Sequence, residues 1–524
     1  MEFYTPEYNE KKIRKLELAL SKEVLATKNF IDLSEIETST RENFLVKNMG
    51  DLTFDASRHC ISSKAIKIAK EIFDEVKAKE FLEAIWSGKV VNKTENRRAL
   101  HPALRAPKGS FFPTSISDEV HAQRETLFKV SEGIRKGELR SFSGKKYNSL
   151  LALGIGGSDL GPRMAVKALS PYTGSIDLRF VSNIDPAELS NQIHDLDPKN
   201  TLVIVSSKTF TTLETISNAN AAFNWMAKSI SEDGAKFQRL AVTANTNNAK
   251  NYGLKDNQII KFSNWVGGRN SIWSSVGLPL AIAIGQKKFE AFLAGGFSVD
   301  NHVKDEMINS IPSLMAILGY IHRNYIGSSS HCIVPYDTNL SYFPSYLQQL
   351  EMESNGKSVS INDDFIKSHS APVIWGLVGT DSQHSFFQML HQGSDNIPVD
   401  IMVARASAYE SENITQRHRM LVANALGQAE ALFRGKKNKI KHKNFDGNRS
   451  VSLISYNKLS PYRLGSLIAI YEYKVIIQAA LWKINPFDQF GVELGKEFAN
   501  ALINNEKNSF GIKTDTLDKF LKLK

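Results

Sequence analysis

The sequence predicts an α/β protein built on two doubly wound, mainly parallel sheets, with a helical arm at the N-terminal end and a helical tail. Three observations lead there. From about residue 148, apolar runs of strand length alternate with helical stretches, as in a parallel sheet covered by its crossover helices. A second set of such runs follows in the C-terminal half. At 524 residues the chain also exceeds what one hydrophobic core usually supports, which predicts two domains.

The elements fall in order. Residues 1–120 read as a helical region, with Leu16, Leu18, Leu20, Val24 and Leu25 set among charges and an amphipathic run over Ala65–Phe81. Residues 121–285 form a first α/β domain, with strands at Ser149–Leu153, Leu178–Val181, Leu202–Ser206 and Leu240–Ala244. Pro162–Leu169 and Thr212–Ile230 supply helices between them. Residues 286–505 form a second α/β domain, with strands at Cys332–Pro335, Pro372–Trp375, Val399–Ala404 and Val451–Ser455. Residues 506–524 read as a polar helical tail.

Composition excludes several classes. Hydrophobic residues at 42% and charged residues at 23% describe an ordinary globular protein, neither disordered nor fibrous. A net charge of +10 points to an anionic ligand without saying which kind. The basic run Arg434–Lys443 has no interleaved aromatic residue and reads as a solvated loop, so no nucleic-acid partner is expected. Cys60 and Cys332 are far apart and form no CxxC, which argues for a reducing compartment and against structural zinc. The first ten residues lack the apolar core of a signal peptide. Leu464–Trp482 is interrupted by Glu472, Lys474 and Gln478, so it reads as a buried helix and not a membrane span. A cytoplasmic protein with no membrane partner is the expectation.

Six stretches carry chemistry. Leading into Gln349–Lys357, Tyr342, Tyr346 and Leu350 recur at helical spacing; Glu353 continues that apolar face while Glu351 turns away. Burial penalises a carboxylate's charged form, so a group placed there can work as acid or base near neutrality; the alternative is a salt-bridged glutamate at a helix end, which this stretch alone favours. Leu151–Pro162 runs off a strand into a glycine-rich turn holding Gly157 and Ser158, with Ser158 or Asp159 available to cap the next helix. It matches neither the dinucleotide fingerprint nor the P-loop, and reads equally as a ligand loop or as a tight structural strand-to-helix turn. In Ser206–Thr215, hydroxyl side chains and Lys208 crowd a helix N-terminus, where free N–H groups and the dipole favour phosphate; Thr211 and Glu214 alternatively form a capping box. Arg269 follows two glycines in Asn264–Leu278 and suits a buried anion, or a structural ion pair. His384, at the turn entering a helix, is a better catalytic candidate than His391, and Lys496 closes the stretch Phe487–Lys496. No metal cluster and no cofactor motif accompanies them. The set fits a cofactor-free proton transfer on a phosphorylated sugar.

The sequence resembles the glucose-6-phosphate isomerase (phosphoglucose isomerase) family from about residue 90 to 500, through GIGGSDLGP, SSKTFTTLET, WVGGRNSIWSSVGL, QLEMESNGK, GTDSQHSFFQMLHQG, HKNFDGNR and FDQFGVELGK. The resemblance implies two sugar-isomerase (SIS-type) domains, a homodimer with shared sites, and interconversion of glucose 6-phosphate and fructose 6-phosphate in glycolysis and gluconeogenesis. Glu353 would move the proton between C1 and C2 through a cis-enediol(ate), and Arg269 would stabilise its charge. His384, from the neighbouring subunit, and Lys496 would open the ring. Ser207, Lys208, Thr209, Thr212 and Thr215 would bind the phosphate, and Gly157, Ser158, Gln349 and Gln489 would touch the rest of the substrate, while Glu214 would orient His384. The chain departs from the family's usual pattern at Asn264, Asn270, Asp381, Ser382 and Phe490. The alternatives are a non-catalytic sugar-phosphate regulator on the same fold, a nucleic-acid binder acting through 434–443, and a metal-dependent isomerase.

Overall fold

The computed structural model describes residues 2–30, 44–409, 413–504 and 516–522. Its strands are, in chain order, β1 (Val46–Met49), β2 (Leu52–Arg58), β3 (Ser149–Leu153), β4 (Asp177–Val181), β5 (Thr201–Ser206), β6 (Arg239–Thr243), β7 (Ile259–Lys261), β8 (Ser330–Pro335), β9 (Val373–Trp375), β10 (Val399–Ala404) and β11 (Val451–Tyr456). The first sheet has the order β4-β3-β5-β6-β7, and every pairing in it is parallel. Succession runs outward in one direction from β3 to β4 and in the other from β5 to β7. The order therefore reverses between β3 and β5, and a crevice opens beyond their carboxyl ends, where doubly wound sheets bind ligands.

The second sheet has the order β1-β2-β11-β10-β8-β9. Its β11, β10, β8 and β9 run parallel, and the antiparallel hairpin β1–β2 adds to the β11 edge. The eight strands expected from the sequence correspond to β3–β6 and β8–β11. The hairpin and the short β7 were not expected. The N-terminal region is therefore helical with an added hairpin that completes the second sheet. Its amphipathic run also divides, at Lys77 in left-handed conformation (φ 57°), into helices Ser63–Glu75 and Ala78–Trp86. Of the tail, a helix over Thr516–Lys522 is described, while 506–515 and 523–524 lie outside the described residues.

Alternation along the strands sorts the core. Leu150 and Ala152 of β3, with Leu202 and Ile204 of β5, join the central core, which also holds Ile333, Met402 and Ile454 of the second sheet. Leu151, Leu153, Val203 and Val205 point to the opposite face of the first sheet, against Ala219, Ala222 and Met226 of the helix Leu213–Phe237. Both faces are covered, which is why these strands read as unbroken apolar runs. The helix Pro461–Trp482 runs through the central core; it is long and apolar enough to cross a membrane, yet it is wholly buried inside the protein. It crosses Gln286–Glu306 so closely that a Cβ on Gly465 would sit 2.0 Å from the Phe292 carbonyl oxygen. Charges this deep must be paired. Arg105 Nη1 donates to Glu472 Oε2 at 2.5 Å, and its Nε and Nη2 donate to Asp300 at 2.9 and 2.7 Å.

Candidate active site

The crevice between β3 and β5 is walled by the two loops that leave those strands. After β3 the chain turns through Gly156–Ser158 and enters the helix Leu160–Ala168. Neither Ser158 nor Asp159 caps that helix, contrary to the sequence expectation; Asp159 instead accepts from Arg163 Nε at 3.0 Å. Burial pushes the Asp159 carboxyl up to about 6, against the pull of Arg163. Gly157 abuts Gly268, where a Cβ would fall 2.1 Å from the Gly268 carbonyl carbon and oxygen. Only glycine lets these two turns touch. The contact fixes the Arg269 turn against the β3 loop, and Ser271 Oγ reinforces it by donating to the Gly157 carbonyl at 3.2 Å.

After β5 the chain passes through Ser207–Thr212 into the long helix Leu213–Phe237. The capping box weighed from the sequence does not form: the N-cap is Thr212, and its side chain makes no capping hydrogen bond. The helix therefore presents uncapped N–H groups to the crevice. Ser207 Oγ lies 3.1 Å from Thr212 Oγ1 and accepts from Phe210 N at 3.0 Å, which folds the hydroxyls inward. Thr215 Oγ1 is buried without a hydrogen-bond partner among the described residues. Lys208 Nζ donates to the Val266 carbonyl at 3.0 Å, and burial, with Arg97 close by, lowers its pKa to about 8. Uncapped N–H groups, an unmatched hydroxyl and an ammonium make a cradle for a phosphate.

Across the crevice stands the turn that carries Glu353. The helix Phe343–Gln348 widens into a π turn over Gln349–Glu353. Phe343, Tyr346, Leu347 and Leu350 are buried as their spacing predicts. The two glutamates exchange roles, however. Glu351 is buried and paired with Lys474 Nζ at 2.9 Å, whereas the Glu353 side chain is 20% exposed and faces Arg269. The extra residue in a π turn rotates the following side chains, so a count based on the α-helical period assigns them to the wrong faces. Glu353 Oε1 lies 3.3 Å from Arg269 Nη1. The guanidinium is otherwise held rigidly: Nε donates to Ser354 Oγ at 2.6 Å, Nη1 to Gln489 Oε1 at 3.1 Å, and Nη2 to the Pro486 and Asp488 carbonyls at 2.5 and 3.1 Å. Burial lowers the Arg269 pKa, and Glu353, Asp488 and Glu95 oppose that shift.

One cavity of about 580 Å³ gathers these groups. Gly157, Ser158, Ser207, Lys208, Thr209, Thr212, Thr215, Gln349 and Gln489 all line it, as do Glu353, Arg269 and Lys496. Gln349 Oε1 is buried there without a partner among the described residues, and Lys496 stands exposed at the mouth. His384 is not brought in. It is exposed on the turn Asp381–His384 after β9, while Glu214 lines the cavity. His391 is held by Gln428 at 2.8 Å, a structural contact. A second cavity of about 550 Å³ adjoins the first and shares Glu353, Gln489 and Val492 with it.

The cavity also takes Glu95, Arg97, Arg98 and His101 from the charged stretch before the first sheet, which carried no functional signal in the sequence. His101 is buried, and burial together with Arg105 and Arg269 lowers its pKa well below the usual value. Asn270, a departure noted above, also lines the cavity and donates from Nδ2 to Glu472 Oε1 at 2.9 Å, tying the wall to the core charge cluster. Among the described residues no group of three or more His, Cys, Asp or Glu side chains is placed to hold a metal ion.

An anion cradle and an arginine at the switch point of one sheet, facing a carboxylate from the second half, define a sugar-isomerase type of α/β protein. Comparison with known proteins narrows the class. The phosphoglucose isomerase family model matches residues 55–517, and the chain belongs to that family. It is 40% identical over 479 residues to the glucose-6-phosphate isomerase of Rhizobium leguminosarum bv. trifolii, covering 87% of this chain and 88% of that one. It is also 40% identical over 495 residues to that of Beijerinckia indica, covering 90% of each. The crystal structure of a glucose-6-phosphate isomerase from Chlamydia trachomatis superposes with a TM-score of 0.87 at 30% identity, covering 97% of this chain and 99% of the other.

Proposed function

We propose that this chain interconverts glucose 6-phosphate and fructose 6-phosphate. The observation that carries this reading is the single cavity in which the phosphate cradle and the Glu353–Arg269 pair face each other. Phosphate bound at Ser207, Lys208, Thr209, Thr212 and Thr215 anchors the sugar and supplies binding energy remote from the reacting carbons. Glu353 takes the proton from one of C1 and C2 and returns it to the other. Arg269, fixed by four protein acceptors besides Glu353, stabilises the enediolate without giving up a proton of its own. Gly157, Ser158, Gln349 and Gln489 hold the sugar between them, and Lys496 serves the ring oxygen.

His384 supplies ring opening from a neighbouring subunit in this reading, with Glu214 orienting it, and the protein works as a homodimer. Its exposure outside its own chain's cavity supports this. So does the second cavity, whose rim carries the exposed apolar residues Met352, Val359, Phe490 and Val492, a surface suited to cover by another copy. Residues 121–285 and 286–505 are the two sugar-isomerase domains. Two cysteines, Cys60 and Cys332, far apart in the chain and in no CxxC arrangement, fit a cytoplasmic home. The reaction needs no metal or cofactor.

The test is conversion of fructose 6-phosphate by the purified protein in excess EDTA, read through a glucose-6-phosphate dehydrogenase couple. Turnover is expected, and Glu353→Gln lowers it by about 10²–10⁴-fold, the usual worth of a positioned base. Near-wild-type turnover in that variant would remove Glu353 from the role. Ligand-dependent thermal stabilisation without turnover in the wild type would favour a non-catalytic sugar-phosphate regulator.

A further inference from the structure

The π turn bearing Glu353 is fastened to the core by a charge pair that the reaction does not use. The Lys474 and Glu351 side chains are 2% and 3% exposed. Lys474 Nζ donates to Glu351 Oε2 at 2.9 Å, and Asn355 Nδ2 donates to Oε1 at 3.0 Å. Asn355 Nδ2 also donates to the Val475 carbonyl at 3.0 Å. Both carboxylate oxygens are thus tied to the helix Pro461–Trp482 or to a residue that is itself tied there. Two residues on, Glu353 meets Arg269 at 3.3 Å, and one further, Ser354 Oγ accepts from Arg269 Nε at 2.6 Å.

Burying an ion pair is a poor way to gain stability, since an apolar pair of the same volume often does as well or better. Its advantage is direction. An apolar contact tolerates rotation of the turn, whereas a carboxylate held at both oxygens does not. A π turn has a widened and poorly specified register, so it is the kind of element that needs such a fix. Small rotations here would swing Glu353 along the cavity wall that it shares with the adjoining pocket.

We infer that Glu351 and Lys474 are positioning residues: they lock the rotation of the π turn so that the Glu353 carboxylate faces the reacting carbons. The inference rests on Glu353 being the base. The test is the double variant Glu351→Leu/Lys474→Met, which keeps volume and removes both charges, measured beside Glu353→Gln for kcat, KM and Tm. The expected result is a Tm near or above that of the wild type, an unchanged KM, and a kcat lowered roughly tenfold, the scale of a sub-ångström to ångström misplacement. A kcat within about twofold of the wild type at a preserved Tm would mark the pair as structural only and overturn the inference. So would a loss confined to KM. Should the double variant not fold, Glu351→Asp decides: it keeps the charges but shortens the tether by one methylene. A lowered kcat at constant KM then supports positioning, and wild-type kcat refutes it. Glu353→Gln separates the two readings. If that variant keeps its turnover, the base assignment fails; if it is inactive while the tether variants are not, only the positioning fails.

Discussion

Lys208 shows how a single residue sets a working range. Burial, reinforced by Arg97 and Arg269 and opposed by Glu95, holds its pKa at about 8. The folded value lies below the ordinary lysine value, so in the unliganded protein the charged form is penalised below pH 8. Stability should therefore rise as pH climbs from about 8 toward the ordinary lysine value. A bound phosphate reverses the balance by favouring the ammonium. KM for the sugar phosphate should accordingly stay low below pH 8 and rise as pH passes through it. Lys208→Met should raise KM roughly tenfold at neutral pH and abolish that rise, since a charge-assisted bond is lost at every pH. Steady-state kinetics across the pH range would show this, and an unchanged rise in the variant would place the titration elsewhere. At this same scale the sequence was only half legible. The hydroxyl density around Lys208 was visible as residue types, but which of Glu351 and Glu353 faces the core was not, because the π turn breaks the periodicity used to assign faces.

At the scale of elements, the site depends on two turns that meet without side chains. Gly157→Ala would place a methyl group 2.1 Å from the Gly268 backbone. The Gly268–Trp273 turn must then move, and Arg269 with it. The expected outcome is a fall in kcat of about 10²-fold with the sheet intact, the cost of roughly an ångström of displacement; circular dichroism and thermal melting beside the kinetics would separate this from unfolding. Wild-type kcat in a folded variant would show that the two turns are not coupled. The strands leading to these turns were legible because both faces are covered, which leaves unbroken apolar runs such as Ser149–Leu153. β7 spans only Ile259–Lys261, with one residue of the three buried, and is too short to display a period. The β1–β2 hairpin lies between helical stretches and gains its partner, β11, nearly four hundred residues away in the chain. No local window contains that pairing. The same holds for Arg97, Arg98 and His101, whose charges gain meaning only when the cavity is closed by distant segments.

At the scale of the whole molecule, the described cavity lacks one member of the catalytic set that the family resemblance implies. His384 sits on the outer surface, and Lys496 waits at the cavity mouth beside exposed Phe490 and Val492. If the histidine comes from a second copy, each site combines Glu353 of one protomer with a group from the other. That arrangement makes a sharp prediction through subunit mixing. Glu353→Gln and His384→Ala homodimers should each be nearly inactive. After the two are unfolded together and refolded at equal amounts, random pairing makes half the dimers mixed. In each mixed dimer one site has lost both groups, while the other retains wild-type Glu353 and receives wild-type His384. Activity should therefore return to about a quarter of the wild-type value, as the geometry of a two-fold dimer requires. A histidine acting within its own chain would leave every site of the mixed dimers defective, and refolding the mixture would restore nothing.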